Sequence, residues 1–193
     1  IVLSYSFNEY VAANLAWLRP WNPFTDDDAV RRAATDHDNI DLFVLTIPLT
    51  FAEYGLDITP WAMYGSIGEI DDYFNNSIGG SVAGTSLLGQ SGNAWWAGLA
   101  FNVTYWDPFF FAFDFMYGSY TSDDVIVPWA VDSVDNDRSG WALSAKLGYK
   151  FEEVTPTLFG WYGSGSDLED NLYDGMMPTL SPDWGFTSFG WSN

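Results

Sequence analysis

Residues 93–120 read NAWWAGLAFNVTYWDPFFFAFDFMYGSY, two alternating runs that meet at Tyr105-Trp-Asp-Pro108. In the first run Trp95, Ala97, Leu99, Phe101, Val103 and Tyr105 fall on one side. Trp96, Gly98, Ala100, Asn102 and Thr104, smaller and more polar, fall on the other. Successive side chains of an extended chain point to opposite faces, so this is the period-2 signature of a strand with one apolar side. In the second run Asp114 lies on the small-residue side with Ala112 and Gly118. The stretch predicts an antiparallel hairpin whose 28 residues hold two acids and no base. The open matter is whether protein or lipid covers its apolar side.

Composition narrows the answer. The chain has 193 residues, 26 acids against six Lys and Arg, a net charge of −20 and 19% aromatics. Binding a phosphate backbone needs a basic stripe, so a nucleic-acid partner is not expected. Zero cysteines exclude a disulfide scaffold and thiolate metal sites. No run of about 18 apolar residues occurs, which excludes a transmembrane helix. The chain opens on Ile1-Val-Leu and stops on Gly-Trp-Ser-Asn inside a strand-like run. Residues 1–193 are therefore read as one β region, an interior fragment of a longer chain.

Alternation predicts strands at 1–7, 10–19, 41–51, 57–67, 94–105, 109–120, 141–150 and 155–163, with a ninth starting near Gly185. Short connections near Asn8-Glu9, Ala52–Leu56, Trp106–Pro108 and Phe151–Val154 alternate with long ones near 20–40, 68–93, 121–140 and 164–183. In an up-and-down sheet this gathers the tight turns at one end and the long loops at the other, as outer-membrane barrels do. Tyr64-Gly-Ser66, Tyr117-Gly-Ser119 and Tyr162-Gly-Ser164 each close the second strand of a hairpin, while Ile58-Thr-Pro60 and Val154-Thr-Pro156 each open one. The short turns recur every 45 to 53 residues, so the repeating unit is a hairpin plus a long loop. Pro48 and Pro60 fit a closed ladder badly, since each must sit at a bulge or forgo a bond. Strand 57–67 is apolar on both sides, which a subunit interface would explain.

Eighteen of the 26 acids lie in the four long loops, and only Asp114 lies in mid-strand. A charge facing lipid at the bilayer midplane costs about 2–4 kcal/mol for a base and less for an acid, enough to clear one face of every strand. A soluble sandwich would place Lys, Glu and Arg on its outward face, and these strands nearly lack them. Trp95 and Tyr105, like Trp141 and Tyr149, stand at opposite ends of apolar faces about ten residues long and are read as an aromatic girdle. Trp161, also near a strand end, is given the same girdle or packing role. Trp96 points the other way, to line a lumen or pack beneath a loop. Asn14, Asn102, Thr104, Asp114, Ser144 and Lys146 are the expected pore-lining residues, with Lys146 and Asp114 as a conceivable pair across adjacent strands.

Other chemistries find less support. Asp132-Ser-Val-Asp-Asn-Asp137 and Asp36-His-Asp-Asn-Ile-Asp41 are oxygen-rich loops that could hold calcium, but neither has EF-hand spacing. No other cofactor is expected. His37, the only histidine, has no nucleophile motif near it, and no Gly-x-Ser-x-Gly sits in a strand–elbow–helix context. No catalytic residue is named, and the chain is not expected to be an enzyme.

Several segments together resemble the homotrimeric outer-membrane porins of sulfate-reducing bacteria. They are Trp17-Leu-Arg-Pro-Trp21, Asp41-Leu-Phe-Val-Leu-Thr-Ile-Pro-Leu-Thr-Phe51, Ile58-Thr-Pro-Trp-Ala-Met-Tyr64, Trp95-Trp-Ala-Gly98 and Thr155-Pro-Thr-Leu-Phe-Gly-Trp-Tyr-Gly-Ser-Gly165. Gly175-Met-Met-Pro178 with Ser181-Pro182 follows in the same order. The resemblance implies a transmembrane β-barrel of about 16 strands, a homotrimer in the lipid bilayer of the bacterial outer membrane. It would be a water-filled channel for passive diffusion of small hydrophilic solutes or ions. This chain would supply 8–9 of those strands, and its acidic loops would favour cations. The alternative reading is a soluble, secreted β-sandwich that binds carbohydrate.

Overall fold

The computed structural model describes residues 1–21, 40–67, 92–122, 137–165 and Pro178. Nine strands form one sheet: β1 (Val2–Ser6), β2 (Ala12–Trp21), β3 (Ile40–Thr46), β4 (Leu49–Phe51), β5 (Leu56–Ile67), β6 (Gly92–Val103), β7 (Phe109–Ser122), β8 (Arg138–Tyr149) and β9 (Thr157–Gly163). Their order is β1-β2-β3-β5-β6-β7-β8-β9, every pairing is antiparallel, and β4 pairs with β5. The all-β, antiparallel, up-and-down architecture expected from alternation is what the chain adopts. The sheet runs from β1 to β9 without closing on itself. The strand expected near Gly185 lies outside the described residues.

The single strand expected over 41–51 is two. Thr46 faces Trp61 and Leu49 faces Ile58, so β4 continues the line of β3 in one register, and the sheet is eight rows wide. The interruption falls at Ile47-Pro48, opposite Pro60 and Thr59. Ile47 N–H donates to the Pro60 carbonyl at 3.0 Å, but Pro60 has no N–H to return the bond. The Pro48 carbonyl still accepts from Ala12 N–H at 3.1 Å, which holds the break against β2.

All four tight turns lie at one end of the sheet. Asn8 Oδ1 accepts from the N–H groups of Tyr10 and Val11, both at 2.9 Å, closing the first. A 3₁₀ turn, Ala52–Tyr54, ends on Gly55 at φ +50°, a left-handed conformation that favours glycine. Phe109 N–H bonds the Trp106 carbonyl at 2.8 Å across a cis Asp107-Pro108 bond. Phe151 N–H bonds the Val154 carbonyl at 2.9 Å in the fourth.

Directly opposed residues share a face, so the registers sort the side chains into two sets. One face carries Leu15, Leu45, Ala62, Leu99, Phe101, Phe113, Phe115, Leu143, Ala145, Leu147 and Leu158, with no charged side chain between Asp41 at one end and the tight turns at the other. The opposite face carries Asn14, Thr46, Asp57, Thr59, Asn102, Asp114, Ser144 and Lys146. Burial runs against that polarity. The buried cluster, Ile40, Leu42, Ile67, Ala94, Trp96 and Tyr120 with Trp61 and Met63 against it, lies on the second face, at the long-loop end. The apolar face stays open: Trp95 is 47% exposed beside Trp96 at 3%. The double apolarity of strand 57–67 follows from this arrangement, because Met63 and Ile67 feed the inner cluster.

Candidate functional site

The apolar face is bounded by rings at both ends. Toward the long loops, Trp17 opposes Phe43, Phe43 opposes Tyr64, and Tyr64 opposes Trp95. The row continues through Tyr117, 5.2 Å from Trp95 between centroids, then Trp141 opposite it, then Tyr162 at 5.6 Å. Seven consecutive rows of the sheet each contribute one ring. The expected girdle residues Trp95 and Trp141 stand in this line. The three Tyr-Gly-Ser repeats acquire a role here, since Tyr64, Tyr117 and Tyr162 are all members. Tyr105 and Tyr149 lie at the other end, among Tyr5–Phe7, Tyr10–Phe51, Tyr105–Trp106 and Phe109–Tyr149 ring contacts at 4.7 to 6.4 Å.

Beyond the upper row the face turns polar: Asp41 opposes Ser66, Ser66 opposes Asn93, and Ser119 opposes Ser139. The rings reach this lip with their polar atoms. Trp17 Nε1 donates to Asp41 Oδ1 at 2.7 Å, and the Tyr64 hydroxyl donates to Asn93 Oδ1. Arg19 clamps Asp41 with two bonds, at 2.9 and 2.8 Å. Rings with an apolar body and a wet tip suit a boundary between an apolar and an aqueous phase.

Five of the six expected pore-lining residues, Asn14, Asn102, Asp114, Ser144 and Lys146, share the opposite face by register. Asn14 Nδ2 donates to Thr46 Oγ1 at 3.0 Å across β2 and β3. Asn102 opposes Asp57 on one side and Ala112 on the other. Thr104, just past β6, donates to the Gly55 carbonyl at 3.3 Å and so is tied into the turn end. Asp114 opposes Ala100 and Ser144, and the Ser144 hydroxyl donates to its carboxylate at 3.5 Å. The conceivable Lys146–Asp114 pair is not what the register favours. Lys146 opposes Ala112, one row away, and its ammonium sits 5.7 Å from the Phe110 ring centroid.

At the long-loop end the same face is covered. Trp96 Nε1 donates to the Pro178 carbonyl at 3.0 Å, and a Cβ added to Gly118 would meet the Trp96 ring at 2.5 Å and Pro178 Cγ at 3.1 Å. Trp96 thus packs against Pro178, in keeping with the second of its two expected roles. The calcium readings fall largely outside the described residues. Of their acids, Asp41 has its carboxylate engaged by Arg19 and Trp17, and Asp137 is the other described one.

Of the two roles expected for Trp161, girdle or packing, the register removes the first: Trp161 opposes Ser144 on the polar face, where Phe159 also stands opposite Lys146. The repeat held the signal: the residue before Tyr162 corresponds to Met63 and Met116, the residues before Tyr64 and Tyr117, which also face that way. No protein-family model, curated protein or solved structure matches the chain.

Proposed function

We propose that this chain forms part of the wall of an outer-membrane porin, a transmembrane antiparallel β-barrel whose water-filled channel passes small hydrophilic solutes and ions by passive diffusion. The observation that carries the reading is the inversion of burial. The exposed face is the apolar one, continuous across eight rows of strands, while the buried cluster lies on the polar face at its long-loop end. A water-soluble sheet buries its apolar side, and exposed apolar patches beyond a few hundred Å² mark a protein or membrane contact. The two aromatic rows give the band a height. From Trp95 to Tyr105 a strand advances about 33 Å, which a tilt of about 40° reduces to roughly 25 Å, the height of an outer-membrane apolar band.

A closed barrel of eight strands has an interior just wide enough for side chains, so a water-filled channel requires further strands on the β1 and β9 edges, about 16 in all. The face with Asn14, Asn102, Asp114, Ser144 and Lys146 then lines the channel. A net charge of −20, with most acids in the long loops, concentrates cations at the mouth and disfavours multivalent anions. The homotrimer rests on the sequence resemblance. A sandwich would instead need a second sheet over the apolar face, and the described residues form one sheet.

Two measurements test the reading. The intact protein should partition into detergent and give stepwise conductance in planar bilayers, with a reversal potential of cation sign that shrinks between about 0.1 and 1 M salt. Recovery of folded protein in the aqueous fraction would favour the soluble carbohydrate-binding alternative, and anion selectivity would remove the acidic-mouth claim.

A further inference from the structure

Four side chains of different chemistry surround Ala112 on the polar face. Along β7 its neighbours on that face are Phe110 and Asp114, and across the registers it opposes Asn102 of β6 and Lys146 of β8. Neighbouring strands are about 4.8 Å apart and alternate residues of one strand about 7 Å apart, so one small solute over the Ala112 methyl reaches all four. β6, β7 and β8 are each paired on both sides, and Asp114 and Lys146 are exposed within the sheet, not at its edge. These two are diagonal neighbours, a separation that a lysine side chain can bridge. They make no ion pair: those among the described residues are Arg19–Asp41 and Lys150–Asp107. The Lys146 ammonium instead sits 5.7 Å from the ring centroid of Phe110, which stands in the row on the far side from Asp114. That ring lies over Gly148, where an added Cβ would collide with it. Asp114 accepts from the Ser144 hydroxyl at 3.5 Å. An acceptor and a donor of full and opposite charge are thus held apart over a floor of one methyl group.

We propose that these groups form a subsite for small zwitterions of the α-amino-acid class. The ligand ammonium donates to Asp114, its carboxylate accepts from Lys146 with the Asn102 amide beside it, and its apolar side chain lies toward the Phe110 ring. Asp114 offers only acceptors, Lys146 only donors, and the Asn102 amide both. Two charge-assisted hydrogen bonds of about 2.8 Å, one at each end of the ligand, need the protein charges further apart than a direct ion pair. That is how the Lys146 ammonium beside Phe110 is placed. A lone cation or a lone anion gains one of these bonds and meets the like charge of the other group. An uncharged polyol leaves both charges without a counter-charge. The small Ala112 leaves room for the ligand backbone between the two.

The subsite rests on the porin reading only for its setting inside a channel, and its test separates the two. Calorimetry of the detergent-solubilised intact protein reads binding without conduction. It compares leucine with leucinamide, which keeps only the ammonium, and isocaproate, which keeps only the carboxylate, at about pH 6, where both analogues are charged. Leucine should bind saturably, and each analogue about tenfold more weakly. Asp114→Asn and Lys146→Gln should each weaken leucine about tenfold. The analogues should respond in opposite senses, because each variant removes one like-charge repulsion. Asp114→Asn should improve isocaproate and Lys146→Gln should improve leucinamide, a pattern that a loss of folding does not produce. Saturable leucine binding weakened by both variants supports the subsite, even if no conductance is seen and the channel reading falls. Absence of leucine binding, equal affinity for either analogue, or unchanged leucine affinity in either variant overturns it, even in a protein that conducts.

Discussion

Gly118 illustrates how single residues set the architecture of the covered end. Gly65 and Gly118, both the middle residues of Tyr-Gly-Ser triplets, sit on either side of Trp96. An added Cβ would meet its ring at 3.2 Å from Gly65 and 2.5 Å from Gly118. The missing Cβ leaves room for the indole, whose Nε1 donates to the Pro178 carbonyl. Gly118→Ala should therefore turn the indole and break that bond, costing about 1–3 kcal/mol as an overpacked site. Gly160→Ala, where nothing lies within 4 Å of the added carbon, should stay within about 0.5 kcal/mol. Urea unfolding of both variants in the same detergent provides the comparison, and equal midpoints would show that the indole is not held by this seat. The triplets were legible as a repeat in the sequence. The task of their glycines was not, because a contact between Trp96, Gly118 and Pro178 joins three distant segments that no local pattern links.

At the scale of one strand, β6 carries the sharpest contrast between the two faces. Leu99 and Ala100 are neighbours in sequence, yet Leu99 lies between Pro60 and Phe115 on the apolar face and Ala100 between Thr59 and Asp114 on the polar one. On the proposed membrane reading, Leu99→Arg places a base near the midplane and should cost about 2–4 kcal/mol. Ala100→Arg, facing water near Asp114, should cost less than about 0.5 kcal/mol. Folding yield and unfolding midpoint in lipid vesicles measure the pair, and similar losses from both would contradict a lipid-facing Leu99. This face assignment was readable from sequence, because parity within a strand follows from alternation alone. Which face of one strand joins which face of the next depends on register, so alternation alone left Trp161 between a girdle and a packing role until its pairing with Ser144 placed it on the polar face. At Ile47-Pro48 the bounds 41–51 run through as one strand, yet Pro48 and Pro60 already mark where the ladder would forgo a bond, and the break falls there.

Closure is a property of the whole sheet, and alternation carries no information about it: the same strands suit a narrow barrel or a wide one. Because β4 extends the row of β3, the sheet has eight rows, an even number whose edge strands β1 and β9 run antiparallel and so could in principle pair directly. The two outcomes differ physically. Direct pairing would make an eight-stranded barrel filled by Trp61, Trp96, Phe110, Phe159 and Trp161, with no room for a channel. Insertion of further strands would separate the edges and leave those rings on a wet wall. The chain has no cysteine, so an engineered pair is unambiguous. Leu3→Cys combined with Leu158→Cys, and separately with Gly160→Cys, samples two registers on the apolar face. A disulfide forms only when Cα atoms approach to about 4.4–6.8 Å. The porin reading requires that neither pair form an intramolecular disulfide in the intact protein under mild oxidation, as judged by mobility on non-reducing gels. A bridge in either pair would mean that the sheet closes on itself, which would remove the water-filled channel while leaving the lipid-facing band in place.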